Sequence, residues 1–600
     1  MLRHRQMDLD QTDFKQKAEE KKMSMSKNIP RLAVTAGLTA ALSFGGVMAP
    51  VTMAFAADAA AATTNSITIN KNTENGDVKY KAYQIFKADV VDKDGKKVAS
   101  NVDWADGLSA ADKNGIIAAI KSDEKGGELP GTPSAQDVAD WMATYLQDAS
   151  QVVNNDDLLD TIASLVKDTT PVTPKGASAA AFAADISVSF DNSGYYLFLT
   201  DVDSIGTADS HSGKKQTGTS PIFAVVGGSA VEVTEKTGIP TVEKKVRDDK
   251  PGSDWKDKAD SQMDQDVHYQ LTGTVADNIA TFDTYYYEFN DELSAGLTAD
   301  AGTIEVKIGD KTLSRNSTEG EKTGYDASID NTTNTLTVKF ADLKTAANLA
   351  GATLDGRSNV VVTYTAKLDH KKVDKVTVGG EGNPNSVKLI YSNNPMSNGK
   401  GESVLDTVRD YTYALKLVKE DSEDNTKLKD VEFTIKATGA DELEAGKVGV
   451  QYVQENGSLG NDEHRFKTDE SGEISVTGLD AGTYTVHEVE GSNPGYNTLD
   501  DFTFTITAEG LGELEGKTFA GNTDPNTLKV TAEKDGSTLV TPKVTGGTVT
   551  LTVKNKKGSN LPLTGLNGVT FTWIAGGAVL VIGVTHLIRS RKQAEESEQE

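Results

Sequence analysis

The 600-residue sequence contains no cysteine. That single absence excludes disulfides, zinc–thiolate sites and thiol nucleophiles together. Its seven histidines are scattered, with no HExxH pair, and no glycine-rich phosphate loop follows a strand. Neither a metal nor a cofactor is therefore expected, and the chain reads as non-enzymatic. Basic excess is lacking too. The formal net charge is −28, and an acidic surface repels phosphate backbones, so nucleic acid is not an expected partner. "VVDKDGKKV" at Val90–Val98 lacks the rest of a calcium loop and reads as a hairpin turn.

Long apolar runs occur only near the two ends. Lys21, Lys22, Lys27 and Arg31 precede an apolar stretch from Leu32 to about Val47, and Ala54–Ala56 supplies small residues at signal-peptidase spacing. Residues 1–56 thus read as a signal peptide cleaved after Ala56, with Met23 and Met25 as alternative starts. At the other end, Val569–Ile588 contains no Asp, Glu, Lys or Arg. At 1.5 Å per residue it would cross a ~30 Å hydrocarbon core. Arg589, Arg591 and Lys592 follow and would stay cytoplasmic.

Between the ends the pattern is mainly β. Runs such as "SITINK", "DISVSF", "TLTVKF", "NVVVTYTAKL", "VEFTIKA", "GTYTVHEV", "FTFTITA" and "TVTLTVKN" alternate apolar and polar residues between turn-forming Gly, Asn and Asp. Many short strands of this kind predict tandem immunoglobulin-like β-sandwiches. Helix is expected only early, in "SAADKNGIIAAIKSD" and "SAQDVADWMATYLQDA", each with a serine placed to cap it. Junctions at "GIPTVEKKV" and "VLDTVRDYTYALKLVKE" divide the mature chain into 57–238, 239–407 and 408–558, followed by 559–600. No low-complexity linker separates them, which predicts a stiff row of units.

Leu561-Pro562-Leu563-Thr564-Gly565, then the apolar span, then the basic cluster, resembles the cell-wall sorting signals of Gram-positive bacteria. In that family a membrane sortase cuts between Thr and Gly and holds the Thr carbonyl as a thioester for an attacking amine. The third unit resembles collagen-adhesin B-type modules. Its "GTYTVHEVEGSNPGY" is similar to the pilin E-box, at Tyr484, Glu488, Pro494, Gly495 and Tyr496. The middle unit, with "YYYEFNDELSAGLT" and "VKLIYSNNP", is similar to the middle domain of backbone pilins. The resemblance spans roughly the whole mature chain and is loosest in the first unit. It implies a surface fibre subunit whose partners are a class C-type pilus sortase, a housekeeping sortase, identical subunits, peptidoglycan, a minor tip pilin and host surface ligands.

Strand parity points to chemistry inside the cores, because residues i and i+2 share a face. Lys419 shares a face with Leu415 and Leu417, and Asn555 with Leu551 and Val553. A buried ammonium without a partner is costly and gives up its proton, leaving a nucleophilic amine. The expected product is a Lys419–Asn555 isopeptide bond, with Glu488 as the assisting acid, a reaction that modules of the resembling family carry out. Lys244 and Asn393 are the corresponding expectation in the middle unit, with Asp291 where such pilins place the acid. No such triad is evident in the first unit. These bonds would replace the missing disulfides and tie first strand to last.

Backbone pilins also carry a fibre-linking lysine in a VxVYPKN-like motif. "VEVTEKT" at Val231–Thr237 matches both valines and the lysine, placing Lys236 in that role, whereas Thr234-Glu235 replaces Tyr-Pro. Lys245 is the next lysine to consider. The alternative function is a wall-anchored monomeric adhesin or minor pilin built from the same modules.

Overall fold

The computed structural model describes residues 64–72, 75–93, 96–146, 153–205, 217–247, 253–437, 451–511 and 529–558. The expected signal peptide, the LPLTG sequence, the apolar span and the basic tail lie outside the described residues. Among the described residues no helix is long and apolar enough to cross a membrane.

The described chain is mainly β and forms successive units with separate cores. In the first unit, a hairpin of Lys79–Lys93 and Lys96–Trp104 is extended by Gly194–Thr200 and Ile222–Val226. The sequence "GYYLFLT" of Gly194–Thr200 has no polar face, and the strand is buried along its whole length. One core lies on each side of this sheet. Tyr196 and Phe198 pack with Ile67, Ile69 and Tyr80. Tyr195 and Leu197 face the helices through Ile116, Val138, Trp141 and Ile162. The two expected helices form at Ala110–Ser122 and Ala135–Tyr145. Ser109 and Ser134 each close a capping box with an aspartate three residues on, satisfying amides that the first turn leaves unpaired. A second small sheet places Ser66–Asn70 between Val188–Ser189 and Val231–Thr234. The expected strand "DISVSF" is thus only two residues long.

The middle unit is a two-sheet sandwich. One sheet runs in the order Lys258–Asp260, Asp406–Tyr411, Asn383–Ser392, Tyr287–Leu293, Thr335–Phe340, Asp326–Asp330. The other runs Lys311–Thr312, Leu297–Ile308, Asn359–Leu368, Val267–Thr274, Val242–Arg247. Strict alternation in Asn359–Leu368 turns Val360, Val362, Tyr364 and Ala366 into the core. Because Asp406–Tyr411 belongs to the middle sheet, the third unit begins at Thr412, beyond the division at residue 407 expected from sequence.

In the third unit, Tyr413–Asp421 and Thr548–Asn555, its first and last strands, lie side by side in parallel, with Lys419 opposite Val553 and Asp421 opposite Asn555. Gly482–Glu488 sits in the facing sheet.

The junctions are packed. The loop after Lys258–Asp260 inserts Gln262 and Met263 into the third unit. The Met263 amide donates to Gly478 O at 2.8 Å, and the Asp480 amide donates to Gln262 Oε1 at 3.0 Å. Between the first and middle units, the Gly218 amide donates to Asn393 O at 2.5 Å, and Met396 packs against the helical core.

Candidate cross-linking sites

In the third unit the fold brings Lys419, Glu488 and Asn555 together. Lys419 reaches the core from the first strand, Asn555 from the last, and Glu488 from the end of Gly482–Glu488. All three are buried. Lys419 Nζ donates to Asn555 Oδ1 and, at 3.0 Å, to Glu488 Oε2. Asn555 Nδ2 donates to Glu488 Oε1 at 2.6 Å. Burial pulls the Lys419 ammonium down to about 8, against the opposing pull of Glu488. The carboxyl group therefore touches both the incipient nucleophile and the amide it would attack. A proton passing from amine to acid leaves no net charge in the core, which removes the desolvation cost of an ion pair. The two tyrosines of the E-box-like stretch bond elsewhere in the unit. Tyr484 donates to Asp480 O at 2.8 Å, and Tyr496 donates to Asp421 Oδ2 at 2.8 Å.

In the middle unit Lys244 and Asp291 also meet. Both are fully buried, and Lys244 Nζ donates to Asp291 Oδ1. The lysine lies against the rings of Tyr269 and Tyr364. Burial brings it down to about 8 and pushes the Asp291 carboxyl above its usual range. Asn393 is not brought to this pair, which corrects the expectation. Asp291 pairs across the sheet with Val387. Asn393 lies six residues beyond Val387, ~20 Å away at the rise of an extended strand. It serves instead at the junction with the first unit, through its carbonyl and Gly218. The asparagine at the right level is Asn385, two residues before Val387 and on the same face. It is fully buried and its Nδ2 donates to Tyr364 OH at 2.7 Å. Parity admits Asn385 as readily as Asn393, since it uses only the odd-numbered face.

Lys236 follows the strand Val231–Thr234 and is half-buried. Its amide donates to Thr219 Oγ1 at 2.9 Å and its carbonyl accepts from the Ser220 amide at 2.9 Å. Burial lowers its pKa from the usual lysine value. The adjoining Glu235 is buried and accepts from Tyr80 OH, from Asn75 Nδ2 at 3.0 Å and from the Asn72 amide at 3.0 Å. No local sequence pattern marks Glu235 for this role. Lys245 pairs with Asp257 at 2.8 Å.

Residues 413–519 match the model of the SpaA prealbumin-like fold domain family. No curated protein matches the chain. Among solved structures, it is similar to a backbone pilin of Streptococcus pyogenes, at 17% identity over 83% of this chain and 98% of that one, with a TM-score of 0.44. It is also similar to the full-length major pilin SpaD of Corynebacterium diphtheriae, at 17% identity over 82% and 97%, with a TM-score of 0.41. The major pilin subunit BcpA of Bacillus cereus aligns at 14% identity over 83% and 99%, with a TM-score of 0.36.

Proposed function

We propose that the chain is the structural shaft subunit of a covalently polymerised pilus on a Gram-positive cell surface, acting as a building element and not as an enzyme. The observation that carries this reading is a buried lysine–acid–asparagine cluster in each of two successive β-sandwiches, on a chain that carries the sequence LPLTG ahead of an apolar run and a basic cluster. Each cluster is suited to close an isopeptide bond with loss of ammonia, Lys419 to Asn555 with Glu488, and Lys244 to Asn385 with Asp291. Such bonds stiffen a cysteine-free protein that must hold its shape under tension.

In this reading a pilus sortase cleaves after Thr564 and passes the threonyl group to a lysine of another copy, and a housekeeping sortase joins the finished fibre to peptidoglycan. Lys236 is the acceptor to which the motif points. Half-burial lowers the cost of making its amine neutral, although the sortase must still gain access to it. Expression with the cognate pilus sortase tests the function. Wall extracts should show a ladder of denaturation-resistant multimers, and a single monomeric wall-linked species would favour the adhesin alternative.

A further inference from the structure

The two clusters differ in how the acid reaches the amide. In the third unit Glu488 touches both reactants itself, Lys419 through Oε2 and Asn555 through Oε1. In the middle unit the acid is an aspartate, one methylene shorter. Asp291 Oδ1 receives Lys244 Nζ, but Asp291 Oδ2 receives the Tyr364 hydroxyl at 2.6 Å. It is this hydroxyl that receives Asn385 Nδ2, at 2.7 Å. Lys244 Nζ lies 3.2 Å from the same oxygen. Tyr364 is held in place by stacking on Tyr269, with centroids 5.3 Å apart. The phenol thus links acid to amide in the middle unit, a link that Glu488 makes with its own two oxygens in the third.

We propose that Tyr364 is a catalytic residue of cross-linking in the middle unit, relaying a proton from Asp291 to the departing amide nitrogen of Asn385. The inference rests on the isopeptide reading above. The step begins from neutral Lys244 and protonated Asp291, the pairing that burial favours for both groups. Lys244 Nζ attacks Asn385 Cγ, forming the C–N bond and a tetrahedral carbon. Nδ2, no longer conjugated, gains a lone pair and takes the phenolic proton. The Tyr364 oxygen takes the proton of Asp291. The Cγ–Nδ2 bond breaks and ammonia leaves. Asp291 then recovers a proton from the former lysine nitrogen, which ends as a secondary amide. Tyrosine and acid both finish as they began. Burial holds the phenol well above its ordinary pKa, so it works as a conduit and not as a standing anion.

The test follows bond closure in full chain made by cell-free synthesis, sampled over time and digested to quantify the Lys244–Asn385 and Lys419–Asn555 cross-linked peptides. Tyr364→Phe removes only the hydroxyl. It should slow the middle bond by roughly 100-fold or more, the scale of a lost acid–base participant, while the other bond closes at the wild-type pace in the same molecules. Asp291→Glu in the Tyr364→Phe background should restore closure, because the longer acid reaches the amide directly. A Tyr364→Phe rate within about twofold of wild type, far from the loss expected of an acid–base group, overturns the relay. A slowed rate that Asp291→Glu leaves unchanged also overturns it. Failure of the parent reading looks different, since the wild-type chain would then yield no Lys244–Asn385 peptide.

Discussion

Replacing Glu488 by Gln keeps the size of the side chain and its capacity for hydrogen bonding, but removes the acid that touches both Lys419 and Asn555. The third unit should then fold without its cross-link. Lys419 and Asn555 are 136 residues apart in sequence. Closing a loop of that length removes denatured-state entropy worth about 5 kcal/mol in the chain-entropy model. For a unit of this size, that corresponds to roughly 15–20 °C in melting temperature. Burial of the free Lys419 amine adds to the loss, because a buried lysine must either give up its proton or stay charged in the core once Glu488 is gone. Intact mass and calorimetry on the ectodomain read both effects. Wild type should fall short of its sequence mass by about 17 Da for each of two bonds, the ammonia released by lysine attack on an amide. Glu488→Gln should show only one such deficit and a lower transition for the third unit. A variant that still loses both ammonias refutes the role of Glu488. A variant that loses the bond but melts as wild type does refutes the entropic argument.

Asn385→Ala should remove the middle cross-link and Asn393→Ala should leave it intact, as read by the Lys244-containing cross-linked peptide. Thr564→Ala should leave the protein unattached to peptidoglycan, so that muramidase no longer releases it from the wall. Lys236→Arg keeps the charge and removes the nucleophile, and should abolish the multimer ladder while folded monomer remains. A surviving ladder would move the link to another lysine, with Lys245 next to test.

The β-sandwich architecture was legible because alternation is local. "NVVVTYTAKL" becomes a strand over its entire length, Asn359–Leu368. The capped helices were legible for the same reason. The middle site was only half legible. Parity assigns a side chain to a face, but not to a level along the strand. The level depends on pairing between Asn383–Ser392 and Tyr287–Leu293, segments about a hundred residues apart. Asn385 and Asn393 are therefore equivalent in pattern and remote in space. Tyr364 had the parity of a core residue, yet nothing nearby in sequence shows that its hydroxyl meets Asp291. Gln262 and Met263 sit in "SQMDQD", which reads as a polar loop. They are buried because a different unit covers them.

Placing the proposed middle bond at Asn385 and not at Asn393 changes how force would cross the molecule. In the third unit a Lys419–Asn555 link joins the first strand to the end of the last, so the chain between them is spared tension. In the middle unit the strand Asp406–Tyr411 comes after Asn385, and tension leaving the cross-link must run through Ser386–Tyr411. Those 26 residues are held by non-covalent contacts alone, with Asn385 opposite Val408 at the start. Single-molecule stretching of the ectodomain should therefore show a short step from the middle unit that releases ~85–95 Å of chain, at 3.3–3.6 Å per extended residue. The cross-linked third unit should give no comparable step. Lys244→Arg, which cannot form the bond, should lengthen the middle step to roughly 560–610 Å of released chain by freeing Val242–Tyr411 in full. A middle unit that stays inextensible in wild type would mean that its covalent link reaches the final strand, and would return the assignment to a residue beyond Asn385. The predicted short step lets the middle unit yield by a fixed length under load while the bond prevents full unravelling.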